Sequence, residues 1–236
     1  MTTIKIKDNK TGGYQVIKMK ADDMYSVIGT NVAGKLVLDV GCADIDCEKS
    51  LSIAGAFYLH EFISSKAKHC VGVDHNEAQV AKLNKLGYDC ICANAENLDL
   101  SKKFEVIVAS NLIEHLSNVG QFLESAKRHL ERNGILIITT PNPFFLWRFV
   151  EIIFKGNFAI NEDHTCWFDP KTLGYSLLQH GSHIKEMYWT TSYWIRPRSL
   201  LVRLARAIRG YFSSGITVVA TLSDLEQNSS IESKLI

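Results

Sequence analysis

The sequence predicts a doubly wound α/β fold built on a mostly parallel sheet. Three observations predict it. Short apolar runs alternate with helical stretches from residue 36 to residue 139. The runs are apolar at consecutive positions, as in Leu36-Val37-Leu38 and Ile135-Leu136-Ile137-Ile138, which marks strands covered on both faces. Several of them stop at a glycine, a proline or a carboxylate, which turns the chain toward the next element. Strands joined through helices pair in parallel, and right-handed crossovers then place helices on both sides of the sheet.

Residues 1–20 alternate weakly up to Gly12-Gly13 and form a small hairpin or an extended arm; residues 21–33 form a short helix. The first clear strand is Leu36-Val37-Leu38-Asp39-Val40, stopped by Gly41, and a helical pattern follows through Phe57, Leu59, Phe62 and Ile63. Cys70-Val71-Gly72-Val73-Asp74 is the second strand. Residues 76–86 read as a helix with Val80, Leu83 and Leu86 on one face and Gly87 as its stop. Tyr88–Ala93 and Phe104–Ala109 are the third and fourth strands. A helix from about Val119 to Arg132 ends at Asn133-Gly134, and Ile135–Thr139 is the fifth strand, closed by Pro141. His183–Thr190 and Gly215–Leu222 complete an antiparallel edge, which makes a seven-stranded sheet. The expected organisation is an N-terminal arm and helix over 1–33, one domain over 34–222, and a frayed polar tail over 223–236.

Composition narrows the class. A formal net charge of +1, from 26 basic and 25 acidic residues, gives no global field to attract nucleic acid. The six cysteines form no CxxC pair and no zinc-like spacing, and Cys70, Cys90 and Cys92 lie in strand-like runs where cysteine serves as a small hydrophobe. The opening residues lack the apolar core of a signal peptide, and no stretch reaches the roughly 18 apolar residues of a membrane span. A cytoplasmic protein is expected.

In an open α/β sheet ligands bind at the carboxyl ends of the strands, so the residues just after each strand are the candidates. Asp39-Val40-Gly41-Cys42-Ala43-Asp44 offers a turn where the backbone approaches a ligand closely; of the three loop glycines such a turn can carry, only Gly41 is present. Asp74 ends the second strand, where a carboxylate accepts both hydroxyls of a ribose or caps the next helix. Ala93-Asn94-Ala95-Glu96 follows the third strand, and Asn94 can meet the edge of an adenine. Ala109-Ser110-Asn111-Leu112-Ile113-Glu114-His115 and Thr139-Thr140-Pro141-Asn142-Pro143 close the rim.

Taken together, VLDVGCA, VGVDHNEA, NAENLDL, FEVIVASNLIEHL and GILIITTPNP resemble the class I S-adenosylmethionine (SAM)-dependent methyltransferases over roughly residues 34–185. The resemblance is greatest to the subgroup that holds the ubiquinone-type O-methyltransferases and the methyltransferases of surface-polysaccharide gene clusters. It implies a Rossmann-like fold and a SAM site in which Asp39, Gly41, Cys42 and Ala43 cradle the methionine part. Asp74 and His75 would hold the ribose, Asn94, Ala95 and Glu96 would lie by the adenine, and Ser110 and Asn111 would line the floor. The loop departs from the pattern at Ala43 and at Asp44-Ile45-Asp46, which bears on cofactor affinity.

Methyl transfer to oxygen calls for in-line positioning and a base. His115 on the rim and His164 in Asn161-Glu162-Asp163-His164 are the candidates. Related enzymes hold a divalent metal through Glu-x-x-Glu-His; Glu114, His115 and His164 are the corresponding alternative here, with Asn111 in place of the first carboxylate. The acceptor is expected to be a small molecule or saccharide, covered by a lid over about 143–168 that carries Phe144, Phe145, Trp147, Phe149, Phe154, Phe158, Trp167 and Phe168. Residues 195–212 form a basic amphipathic insert with Arg203, Arg206 and Arg209 beside Leu201, Leu204 and Ile208. That insert suits an anionic membrane surface, a phosphate-bearing substrate, a dimer contact or a cover for the last two strands. The competing readings are a methyltransferase-like binding or regulatory protein, an RNA 2'-O-methyltransferase, and a nicotinamide-dependent dehydrogenase, against which the missing glycines and the position of Asp74 argue.

Overall fold

The structure is a computed structural model that describes residues 2–43, 58–157, 161–191 and 210–222. The expectations for residues 44–46, Phe158, most of the basic insert and the tail therefore lie outside the described residues.

The chain opens with a hairpin, β1 (Thr3–Lys7) and β2 (Tyr14–Lys18), paired antiparallel from Thr3↔Lys18 to Lys7↔Tyr14. Its alternating Ile4, Ile6 and Ile17 face inward and join the main core. Of the two forms open to residues 1–20, the structure adopts the hairpin. A short strand, β3 (Lys20–Asp23), then leads into helix α1 (Met24–Val32), whose first turn is capped by Asp23 accepting from the Ser26 amide.

The main sheet follows with β4 (Leu36–Val40), β5 (His69–Asp74), β6 (Asp89–Cys92), β7 (Phe104–Ser110), β8 (Leu130–Pro141), β9 (Ser182–Thr191) and β10 (Gly215–Leu222). Between them lie α2 (Leu59–Lys66), α3 (Glu77–Lys85), α4 (Val119–His129), α5 (Leu146–Lys155) and α6 (Pro170–Gln179). The strand order is β3-β9-β10-β8-β7-β4-β5-β6. All neighbours pair in parallel except β10, which runs antiparallel to β8 and β9. The chain runs outward from β4 through β5 to β6, then returns to β7 and β8 on the other side of β4. The order thus reverses between β4 and β7, and that switch point opens a crevice at the carboxyl ends of the strands.

Three expectations need correction. The sheet has eight strands rather than seven, because Lys20–Asp23 adds a parallel edge strand on β9. All four of its residues are exposed, so it carries no hydrophobic pattern to read. The helix expected to run to Arg132 ends at His129, and Asn133-Gly134 lies inside β8. The register there jumps from Phe104↔Leu130 to Val106↔Ile135, a bulge at Gly134, where a Cβ would lie 3.1 Å from the Glu105 carbonyl oxygen. Cys92 is exposed rather than a core hydrophobe, unlike Cys70 and Cys90.

Candidate active site

The first part of the site is a turn. Gly41 has φ +79, a conformation that L side chains rarely adopt, and Gly41 and Cys42 both donate to the Val73 carbonyl, at 2.8 and 3.1 Å. A Cβ at Gly41 would also press on Leu112 Cδ1 at 3.1 Å. The next amide, Ala43, donates to Asp74 Oδ2 at 3.0 Å, and Asn76 donates to Asp74 Oδ1 at 2.9 Å. Asp74 is buried, with the exposed His75 ring 3.4 Å away. Of the two roles open to Asp74, the helix cap is taken by Asn76, which accepts from the Gln79 amide. A carboxylate offers about four acceptor positions, so Asp74 retains capacity for hydroxyl donors from a ligand.

Asn94 uses its side-chain oxygen to cap the turn Ala95–Asn97, accepting from Glu96 at 2.8 Å. Glu96 in turn accepts from the Asn118 amide at 2.8 Å, and its carbonyl accepts from Ser125. Ser110 and Thr139 share a hydroxyl hydrogen bond of 2.8 Å at the ends of β7 and β8, and Asn111 sits at φ 49 with its amide on the Thr139 carbonyl. Asp39 is buried in a pair with His60, 2.8 Å from Oδ2 to Nδ1. The sequence reading did not single out His60. Only the strand position of Asp39 pointed to it.

The second part is assembled from distant pieces. The turn Ile113–His115 presents its carbonyls to the segment after β8: Thr165 donates its amide to Glu114 and its hydroxyl to Leu116, at 2.8 and 2.7 Å. This clasp carries His164 onto His115, with ring centroids 4.6 Å apart and edge to face. Asp163 lies 3.1 Å from His115 Nδ1. Trp167 meets His164 edge to face, with ring centroids 6.0 Å apart, and receives the Arg148 guanidinium 4.4 Å above its ring. Neither Asp163, Thr165 nor Arg148 was given a role by sequence. The clue available was their place in the stretch around His164 and in the aromatic lid.

Glu114 is 2% exposed and accepts from Thr140 Oγ1 at 3.0 Å, while its other oxygen has no partner among the described residues. Burial pushes its carboxyl up to about 7. His164 Nδ1 also lacks a partner, and burial together with the neighbouring His115 lowers its pKa. One ligand atom each from Glu114, His115 and His164 lies within 4.8 Å of the others. Buried polar atoms without partners are costly, so a cluster of them marks a place where a ligand completes the structure. A carboxylate and two imidazoles fit a divalent cation, with open positions left for an acceptor. Of the lid aromatics, Phe145 and Phe168 pack into the protein, whereas Phe144, Trp147, Phe149, Phe154 and Trp167 are exposed.

A family model described as a methyltransferase domain matches residues 20–184. A ubiquinone biosynthesis O-methyltransferase from Bradyrhizobium diazoefficiens is 30% identical over 47% of this chain and 42% of its own length. One from Rickettsia typhi is 25% identical over 72% of this chain and 65% of its own. The matches thus span less than two thirds of these relatives. Among solved structures, an S-adenosylmethionine-dependent methyltransferase from Mesorhizobium loti superposes with a TM-score of 0.55 at 15% identity, covering 83% of this chain and 94% of that one. That likeness bears on the fold.

Proposed function

This chain belongs to the methyltransferase-domain family, and from that premise we propose that it transfers a methyl group from SAM to an oxygen of a small-molecule or saccharide acceptor. The observation that carries the reading is the cluster at the ends of β7 and β8, where Glu114, His115 and His164 converge beside the Gly41–Asp74 turn. Bound in that turn, SAM supplies a methyl group on a positively charged sulfur. Asp74 would accept the ribose hydroxyls, and the Gly41 turn, whose amides are held by Val73 and Asp74, would let the methionine part approach the backbone closely. Asn94 and Ala95 flank the adenine.

With SAM bound, an acceptor oxygen would take the methyl group in line with the sulfur, the carbon–oxygen bond forming as the carbon–sulfur bond breaks and the sulfur leaving neutral. Asp163 Oδ2, 3.1 Å from His115 Nδ1, would favour a proton on that nitrogen and leave Nε2 as the atom that takes the acceptor's proton. His164 turns an unsatisfied nitrogen toward the same space and holds the hydroxyl in place.

The unpartnered Glu114 oxygen and His164 nitrogen also favour a second reading, in which Glu114, His115 and His164 hold a divalent cation that lowers the pKa of the acceptor hydroxyl. The two readings divide on one assay. Activity that survives exhaustive chelation belongs to the base alone; activity lost in chelator and restored by magnesium or manganese belongs to the cation.

For the acceptor's surroundings, α5 turns Ile153 and Phe154 to solvent at 74% and 82% exposure, and the sequence over 195–212 carries Arg203, Arg206 and Arg209 among apolar residues. Exposed apolar side chains and an arginine-rich amphipathic sequence in the same chain suit contact with an anionic membrane carrying the acceptor. Co-sedimentation with anionic but not neutral vesicles is the expected result, and binding to neither removes the membrane from the reading. Among the described residues no helix is long and apolar enough to cross a membrane. The function as a whole is tested by titrating the protein with SAM and S-adenosylhomocysteine, then assaying transfer to nucleotide sugars, glycans and phenols; absence of binding by a folded protein would end it.

A further inference from the structure

The side chains of one buried cluster of reactive groups, next to the cofactor turn, are given no chemical step in the transfer. Asp39, Gly72 and Cys90 stand side by side on β4, β5 and β6, paired Asp39↔Gly72 and Gly72↔Cys90. Gly72 leaves a space above the sheet that its neighbours fill. A Cβ there would fall 2.7 Å from both Cys42 Sγ and Cys90 Sγ, and 2.9 Å from His60 Cε1. The groups form a line: Asp39 Oδ2 to His60 Nδ1 at 2.8 Å, His60 Nε2 to Cys90 Sγ at 3.6 Å, and Cys42 Sγ donating to Cys90 Sγ at 4.0 Å.

The two thiols are chemically unequal. Burial alone would lower the pKa of His60, but the Asp39 carboxylate and the adjacent thiols Cys70 and Cys90 raise it, so the ring carries a proton. The Cys42 hydrogen bond, and then the His60 contact, bring Cys90 down to about 6 against the opposing effect of burial. The same hydrogen bond and its own burial raise Cys42, which keeps its proton. With His60 Nε2 at 3.6 Å and the Cys42 thiol donating to it, Cys90 is the sulfur whose thiolate is favoured, which suits Cys90 to attack and Cys42 to resolve.

We propose that Cys42 and Cys90 are a peroxide-sensitive dithiol, and that their oxidation to a disulfide weakens the cofactor turn. The Cys90 thiolate attacks one peroxide oxygen, the O–O bond breaks, and the departing hydroxide takes a proton from His60 to leave as water. Cys90 is then a sulfenic acid. The Cys42 sulfur attacks it, the S–S bond forms, and the displaced hydroxide leaves as a second water with the Cys42 proton. Two thiols are oxidised by two electrons and one peroxide is reduced to two waters. A disulfide holds its sulfurs about 2 Å apart, so Cys42 must move toward β6 by roughly half the present gap. Cys42 lies between Gly41 and Ala43, and its carbonyl accepts from Tyr58. The shift draws on the Gly41 and Cys42 bonds to Val73 and on the Ala43 bond to Asp74.

The inference about affinity rests on the cofactor reading above; the inference about the disulfide does not. The full chain, reduced and then treated with hydrogen peroxide, is weighed intact and fragmented to locate the bond. The expected result is a loss of about 2 Da with Cys42 joined to Cys90. S-adenosylhomocysteine should bind the oxidised protein at least about tenfold more weakly, with recovery in dithiothreitol. Cys90→Ser should bind as the reduced wild type does and ignore peroxide. Oxygen adducts without the 2 Da loss, a bond joining other cysteines, or a Cys42–Cys90 bond with unchanged affinity would each overturn the proposal. If the reduced protein fails to bind, the cofactor reading falls, and the mass measurement still decides the dithiol. The wild-type measurements stand alone if Cys90→Ser does not fold.

Discussion

The two halves of the crevice are built on opposite principles. In the loops at the carboxyl ends of β4, β5 and β6 the polar groups named above satisfy one another: Gly41 and Cys42 on Val73, Ala43 and Asn76 on Asp74, Glu96 on Asn94. Across the crevice, at β7 and β8, Glu114 Oε1 and His164 Nδ1 are buried without a partner. The first half is preformed and can take a ligand with little rearrangement. The second half holds unsatisfied groups whose cost is recovered only when an acceptor, a proton or a cation arrives. Binding strength should therefore reside in the first half and turnover in the second.

Single substitutions can break that division. His115→Ala should lower kcat by about 10²–10⁴-fold, the range for a lost general base, with SAM affinity unchanged by calorimetry. His164→Ala should fall in the same direction by less. Asp74→Ala should do the reverse, weakening SAM by about 100-fold, because it removes charged hydrogen bonds worth about 1.5–3 kcal/mol each. It also strips the Ala43 and Asn76 amides of their acceptor. A drop in SAM affinity for His115→Ala equal to that for Asp74→Ala would dissolve the distinction between the halves.

The same contrast explains what could be read in advance. The turn half was legible because it is local: a strand, a glycine and a carboxylate fall within a few residues of each other, and five such motifs in order identified the family. The rim half needed His164 to meet His115 across 49 residues, a contact made by Thr165 clasping the turn at Glu114. The residue types suggested a cluster there, but nothing local specified Asp163 as the orienting group or Thr140 as the partner of Glu114. β3 escaped notice because an exposed edge strand, here Lys-Ala-Asp-Asp, has no apolar period to reveal it. Asn133-Gly134 misled for a related reason. The pair suits a helix stop and a bulge equally well, and only pairing with β7 decides between them.

The smallest effect tests the claim that the rim stores unsatisfied charge. The Glu114 carboxyl is raised by burial from 4.5 to about 7, so between those values the native state holds a proton that the unfolded chain has released. The native state thus binds more protons, and stability must fall as pH rises from about 4.5 to about 7, with the loss complete above that. Each pKa unit corresponds to about 1.4 kcal/mol, which sets an upper bound of about 3.5 kcal/mol on the change, reduced if water enters the rim. Glu114→Gln keeps the Thr140 hydrogen bond and the volume but cannot ionise, so urea midpoints at pH 5 and pH 8 should differ less for the variant than for the wild type. Added manganese separates the two readings of the rim. If the cluster binds the cation, the wild type gains stability at pH 8 while Glu114→Gln gains little; if His115 works alone, neither midpoint moves. A wild-type midpoint that rises from pH 5 to pH 8 without added metal would show that Glu114 is satisfied in the native protein and that the contrast between the two halves is wrong.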